Sequence, residues 1–544
     1  MRITGLLASL LVLASMVSAQ EGDGLTEEAE EAALENELAD RDLPQVASAR
    51  WRLKGRGPTA DRLSLYQRLT WRRADGLEVC LFTERDPGEP RWADFAAGYA
   101  TLTPVKRPLS VTLGDLRPGW ASGLVFGRAA GPGGAFLAHP SRDSEVVGCR
   151  STGENQALRG MALRWRLRRL SAALVAGQAR RDARLDEAGQ ATSLPESGYH
   201  VTETERDGED KLAVKVAGGR IAVDLGSWRA GMSLQSLRFD HQVDLRRPGR
   251  VPWAFHGSAI SLVAVDLDGR AGPLELRGET ALSGRGWAGV AGARLRLGSV
   301  RGRVLTRRYT PEYYSPFGGA VSRGGMANEE GILLALEGRG WTLFADRYHR
   351  PRRTYYYPEP ATIEARGASV ERRLPRGVRF QVRYQEEHQP RWQSGQAVEE
   401  HGRRLVLDLE RGRGRGPFAR VRLRVAGRRV GQEEAPARNG ALAALLWQGA
   451  WPGITVALHG TRYRTDGYAA RLYEAEYDLP GAVSIRPLYD NGWRVYGLVT
   501  TIRGPVSLSL RYRLQVDREH QQYLGLQLEL RTGRPARSRG RGAS

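Results

Sequence analysis

Nine histidines and two cysteines are the side chains best suited to metal or nucleophilic chemistry in this 544-residue sequence, and their spacing supports neither. The histidines are dispersed, with no His-Glu-x-x-His and no Cys/His pattern of the kind that holds zinc. No Gly-x-Ser-x-Gly elbow presents a nucleophile, and no Gly-Lys-Ser/Thr loop cradles a phosphate. Gly284-Arg285-Gly286-Trp287-Ala288-Gly289 matches the dinucleotide-binding pattern, but Leu295 and Leu297 alternate after it where a helix is required, so the match is read as chance. Asp115 and Glu145 are a candidate carboxylate pair that nothing in the sequence places together. Cys80 and Cys149 are a candidate disulfide, with unpaired buried thiols as the alternative. The sequence therefore predicts no enzyme, no catalytic residues, no cofactor and no metal.

Arginine is the charged residue with a pattern. Of 82 bases only Lys54, Lys106, Lys211 and Lys215 are lysine, and the arginines recur on alternate positions. Arg379 and Arg383 alternate with Val378, Phe380, Val382 and Tyr384, and Arg420, Arg422 and Arg424 alternate with Val421, Leu423 and Val425. Arg511 and Arg513 lie opposite Leu508, Leu510, Tyr512 and Leu514 in eleven residues of unbroken alternation from Val506 to Val516. A period of two is the signature of a strand, and eleven residues is the length of a tilted membrane-crossing strand. If the apolar face meets lipid, these seven arginines line a lumen.

The elements that must position them follow from the same pattern. Turn signals at Asp75-Gly76, Asn439-Gly440, Asp466-Gly467, Asn491-Gly492 and Gly504-Pro505 separate the alternating runs. Trp51, Trp71, Trp341, Trp451, Trp493 and Tyr523 fall near expected strand ends, as interfacial girdles require. No Pro, Gly or Ser-rich linker divides the body. At roughly twenty residues per strand and connection, the chain predicts an all-β fold, one large antiparallel transmembrane β-barrel of roughly 20–26 strands over residues 48–530.

The flanks differ in charge. Residues 1–19 carry Arg2, a short apolar core and Val17-Ser18-Ala19, the pattern of a cleaved signal peptide that exports the chain. Residues 20–47 are expected to form an acidic helical periplasmic segment: ten acids and one base lie between Glu21 and Asp42, a charge of −9. Setting that stretch and Arg2 aside leaves 80 bases and 51 acids, so the rest of the chain carries +29. Residues 531–544 read as a basic disordered tail.

Several ordered stretches resemble a family of bacterial outer-membrane barrels known as helix-hairpin-helix domain-containing proteins. They are Arg62-Leu63-Ser64-Leu65-Tyr66-Gln67-Arg68-Leu69, Glu84-Arg85-Asp86-Pro87-Gly88-Glu89, Gly114-Asp115-Leu116-Arg117-Pro118-Gly119 with Gly123-Leu124-Val125, Leu158-Arg159-Gly160, Gly198-Tyr199-His200, Tyr309-Thr310-Pro311-Glu312-Tyr313-Tyr314-Ser315-Pro316-Phe317, and Asn328-Glu329-Glu330-Gly331 with Asp346 and Pro351. The resemblance covers roughly residues 50–350. The sequence departs from it between Leu43 and Ala49, where no helix-hairpin-helix fits, and this removes the inference of nucleic-acid binding. Tyr523-Leu524-Gly525-Leu526 resembles a terminal-strand signal for barrel-assembly machinery, although the usual terminal aromatic is missing. The expected function is an outer-membrane pore, transport or surface-assembly component handling anionic material, with outer-membrane lipid and lipopolysaccharide as partners. The alternative is a secreted soluble basic β-protein that binds polysaccharide or nucleic acid.

Overall fold

The computed structural model describes residues 46–56, 62–104, 107–127, 146–150, 157–246, 251–354, 357–393, 396–412, 414–432, 435–518 and 520–532. The signal peptide, residues 20–45 of the acidic segment, Glu145 and residues 533–544 of the basic tail lie outside the described residues. Val46 and Ala47 already belong to the first strand, and Arg531 and Thr532 still belong to the last, where they pair across the seam between the two rather than starting a tail.

Antiparallel pairing runs from neighbour to neighbour along the chain, and the sheet then closes on itself. The first strand, Val46–Arg56, pairs with the last, His520–Thr532, in a register that sets Trp51 opposite Leu528 and Leu53 opposite Leu526. The result is a closed barrel of 24 strands. Short segments at one rim, Val146–Gly148, Arg184–Leu185 and Ala191–Ser193, extend the same sheet. Closure satisfies every edge, which is what a β-structure needs if it is to sit in hydrocarbon. Among the described residues, no helix is long and apolar enough to cross a membrane.

The two rims differ. At the rim holding both chain ends, strands are joined by tight turns, as between Ala271 and Leu274 and between Arg503 and Val506. Gly272 (φ 58°) and Gly504 (φ 57°) supply the left-handed backbone that such turns demand. The opposite rim carries the long connections 182–211, 310–328 and 466–490.

Along the strands one parity faces out and is predominantly apolar through the middle of the wall: Leu81, Leu174, Ile221, Val265, Leu445 and Leu524 are all exposed. Their exposure in a folded chain is the mark of a surface solvated by lipid rather than water. Trp51, Trp71 and Trp451 stand on this outer face. Tyr523 does not: its ring faces inward with the Arg513 guanidinium 3.7 Å from its centroid.

The interior departs from the expected uniform polar lining. From Leu109–Pro118 to Glu329–Gly338 the inward parity is largely apolar in the half nearer the long-connection rim, where two segments fold into the barrel to cover it, 119–127 and 310–328. Arg220 with Asp266 and Arg294 with Glu275 keep the half nearer the tight turns polar. Trp120, Leu124, Val125 and Phe126 are buried there against Val214, Val216, Leu237 and Leu262. Burial of this surface contributes roughly 1.5–3 kcal/mol for each large apolar side chain, enough to hold loops inside a lumen. The stretch Tyr309 to Phe317 builds the plug: the Tyr313 hydroxyl and the Ser315 hydroxyl both donate to the Leu124 carbonyl, at 2.8 and 2.7 Å. Gly286, from the apparent dinucleotide motif, lies on a strand, and a Cβ there would come within 2.2 Å of the Tyr313 nitrogen. Its glycine serves close approach of the plug.

Two turn signals are corrected in the same way. Asn439-Gly440 lies inside the strand Ala435–Trp451, where a Cβ on Gly440 would meet the Ala470 carbonyl oxygen at 2.2 Å. Asn491-Gly492 opens the strand Asn491–Arg503, with Gly492 pressed against the Tyr463 hydroxyl.

Candidate functional site

The seven arginines singled out by alternation all project into the barrel, and their partners define the site. A hairpin, Leu472–Tyr477 with Val483–Leu488, descends from the long connection 466–490 and lies against the inner wall. Alternation puts Glu474, Glu476 and Asp478 on one side of it, facing the arginines.

Glu476 accepts from Arg494 at 2.5 Å, from Arg511 at 2.5 Å and from Arg513 at 3.4 Å. Glu474 accepts from the Thr461 hydroxyl at 2.6 Å, lies 3.0 Å from His459 Nε2 and 3.9 Å from Arg422. Asp478 accepts from Lys54 at 2.5 Å and lies 3.6 Å from Arg511. The tip is held by Arg52, which donates to the Pro480 carbonyl at 2.7 Å, and Leu479 packs where Gly525 leaves room. Arg420 donates to the Tyr477 hydroxyl.

On the wall itself, Asp408 accepts from Arg383 at 3.1 Å and from Arg424 at 2.8 Å. Glu410 accepts from Arg379 at 3.1 Å and Arg420 at 2.9 Å, and Glu371 lies 3.9 Å from Arg379. Cross-strand register creates these pairs, with Glu410 opposite both Arg379 and Arg422, and Asp408 opposite Arg424. Burial alone would raise the Glu476 carboxyl, but the Arg494, Arg513 and Arg511 charges outweigh it and hold the group below the ordinary carboxylate range. Asp478 is lowered likewise, burial being overcome by Lys54 and Arg511.

The arrangement is an electrostatic latch inside a barrel wall. Alternation found the arginines but not their acidic complement. The available signal was Glu474, Glu476 and Asp478 spaced by two, the inverse of the arginine rows.

A second cluster sits at the long-connection rim, where stretches of the family resemblance converge. His200 Nδ1 lies 2.6 Å from Asp94 Oδ2, its Nε2 lies 3.3 Å from Asp182 Oδ2, and its backbone N–H donates to Glu89 at 3.4 Å. Ligand atoms of Glu89, Asp94 and His200 fall within 4.8 Å of one another, a grouping that separations beyond a hundred residues concealed. Both imidazole nitrogens are engaged by carboxylates, so the cluster reads as a clamp between two connections. A third network joins Arg307 to Glu329 at 2.6 Å and to Asp346 at 2.9 Å, with Arg323 reaching Asp346 at 2.8 Å.

The remaining candidates resolve simply. Asp115 accepts from the Gly98 N–H at 2.8 Å and from Arg159 Nε at 2.9 Å, so it ties two strands together. Cys80 and Cys149 are buried and form no disulfide. Cys80 is enclosed by Tyr66, Phe82, Ala97 and Tyr99, whose packing accounts for its burial.

No protein-family model matches the chain, and no curated protein matches it. Among solved structures, the translocation pore of the P pilus usher PapC aligns over 90% of this chain and 100% of its own, at 9% identity and a TM-score of 0.35. The ferripyoverdine receptor of the outer membrane of Pseudomonas aeruginosa aligns over 89% of this chain and 72% of its own, at 8% identity and a TM-score of 0.40. Acinetobacter baumannii OccAB3 aligns over 90% and 98%, at 10% identity and a TM-score of 0.30. These likenesses concern architecture only.

Proposed function

We propose that the protein is an outer-membrane transport barrel whose lumen favours anionic solutes and is narrowed by the hairpin Leu472–Leu488. The outer-membrane assignment is supported by the apolar outer face and by the contrast between a rim of tight turns and a rim of long connections, the usual periplasmic and extracellular ends. The resemblance of residues 50–350 to a family of such barrels agrees with it.

One observation carries the anion preference. In the latch and the adjoining wall, Arg379, Arg383, Arg420, Arg422, Arg424, Arg494, Arg511, Arg513 and Lys54 share Glu371, Asp408, Glu410, Glu474, Glu476 and Asp478, leaving an excess of positive charge. In a confined lumen that excess attracts counter-ions. Reversal potentials across planar bilayers in a potassium chloride gradient test this, with chloride preference expected. Cation preference, or no conductance at all, overturns it.

A further inference from the structure

On the outside of the barrel, the strands Ala361–Leu374, Val378–Gln393, Gln396–Gly412 and Gly416–Gln432 carry a row of charge in strict register. Arg366 is opposite Glu386, Glu386 opposite Arg403, and Arg403 opposite Arg429. All four share the outward parity of Tyr384, Leu405 and Val425, which are exposed apolar residues. Glu386 accepts from Arg366 Nε at 2.9 Å and Nη2 at 2.8 Å, and from Arg403 Nε at 3.0 Å. The carboxylate is only 6% exposed while the Arg366 and Arg403 side chains are 66% and 59% exposed, so one acid sits beneath two guanidiniums and sets their direction. Each guanidinium has donors to spare after these bonds. No described carboxylate pairs with Arg429, which directly faces Arg403, and like charges opposed across strands destabilise a sheet unless an anion joins them.

The depth of the row identifies the anion. Toward the tight-turn rim the next rows on the same face are Tyr384 beside Leu405, Val382 beside Leu407, and Phe380 beside Leu409. From Glu386 down to Val378 the strand covers about 27 Å, or roughly 20 Å of membrane normal at the usual barrel tilt, close to the ~25 Å apolar band of such proteins. The arginines therefore stand at the upper boundary of the hydrocarbon, with acyl-chain surface directly beneath. Guanidinium forks match phosphate oxygens in pairs.

We propose that Arg366, Arg403 and Arg429 form a docking site for the phosphorylated headgroup of a saccharolipid in the outer leaflet, its acyl chains lying on the Tyr384 and Leu405 face. This rests on the outer-membrane reading, which fixes the long-connection rim as the outer one.

The test uses the full chain in detergent, with native mass spectrometry against bis-phosphorylated lipid A, the same lipid dephosphorylated, phosphatidylethanolamine and inorganic phosphate. Lipid A should be retained over the other three. Replacing Arg366→Gln, Arg403→Gln and Arg429→Gln together should weaken it by about tenfold or more, since one charge-assisted hydrogen bond is worth about that factor. An equal charge change on the same face near the other rim, Arg372→Gln with Arg411→Gln and Arg503→Gln, should leave binding intact. Should the triple variant lose its folded, heat-modifiable band, Arg429→Gln alone carries the test with a several-fold loss. Equal retention of phosphorylated and dephosphorylated lipid, phosphate binding as tightly as the lipid, or unchanged binding by the arginine variants overturns the proposal. Fractionation of the same strains separates the two readings: a protein in the outer membrane without lipid selectivity fails the docking site only, and one recovered elsewhere fails the location.

Discussion

Replacing Glu476 by Gln removes the carboxylate on which the latch converges while keeping its size. Its side chain is 2% exposed, and the Arg494, Arg511 and Arg513 side chains that surround it are 2%, 7% and 1% exposed. Removing one member of a buried ion pair costs roughly 3–5 kcal/mol because the remaining charge stays buried without compensation. Here three guanidiniums lose their common partner, although Arg494 keeps its two bonds to Gln515 at 2.9 and 2.6 Å. Taking the low end, about 3 kcal/mol shifts the docked-to-released ratio of the hairpin by about a hundredfold. The barrel wall should survive, since its ladder of backbone hydrogen bonds does not pass through the hairpin. The expected result is a larger single-channel conductance, with fewer interruptions, and faster tryptic cleavage after Arg486, with unchanged heat-modifiable mobility. Wild-type conductance and wild-type cleavage together would refute the latch.

The latch should also respond to pH in one direction. Glu476 and Asp478 have lowered folded-state carboxyls, so their contribution is complete above the ordinary carboxylate range of about 4 and is lost as pH falls through the lower folded values. Conductance should therefore hold constant from neutral pH down to about 5 and rise only in strong acid. Gly218→Ala places a Cβ 2.6 Å from the Phe126 ring, which is fully buried and has nowhere to move, so thermal unfolding should report a loss of about 1–3 kcal/mol from overpacking. Asp346→Asn leaves Arg307, wholly buried, with one carboxylate instead of two, and the same assay should show a loss of about 3 kcal/mol or more. The barrel itself should migrate faster on gels before boiling than after and fractionate with the outer membrane.

Alternation in the sequence carried the wall. The run Val506 to Val516 is a strand of that same span, and Val421 to Val425 points its arginines inward as the period requires. What alternation could not reveal was anything depending on contact between distant segments. In Leu212–Leu225 the inward positions Leu212, Val214 and Val216 are apolar because a plug covers them, so polarity contrast with the outer face fades where it would be read. Gly440 and Gly492 look like turn residues, yet their purpose is to admit another segment, which local sequence does not encode. The acidic hairpin was visible only as an exception in an arginine-rich chain, and its partners lie on strands separated by up to several hundred residues.

The seam between Val46–Arg56 and His520–Thr532 constrains how the molecule can come into being. Until the final strand arrives, the growing sheet has two bare borders, each ready to zip onto a neighbouring chain. Residues nearly five hundred apart meet in register across this seam, and since each doubling of loop length costs only about 0.6 kcal/mol, it is the neighbour-to-neighbour pairings carrying the two borders toward each other that govern the closure. A chain cut short by even its last strand should accordingly accumulate as an oligomerising, protease-sensitive species rather than as a smaller ring.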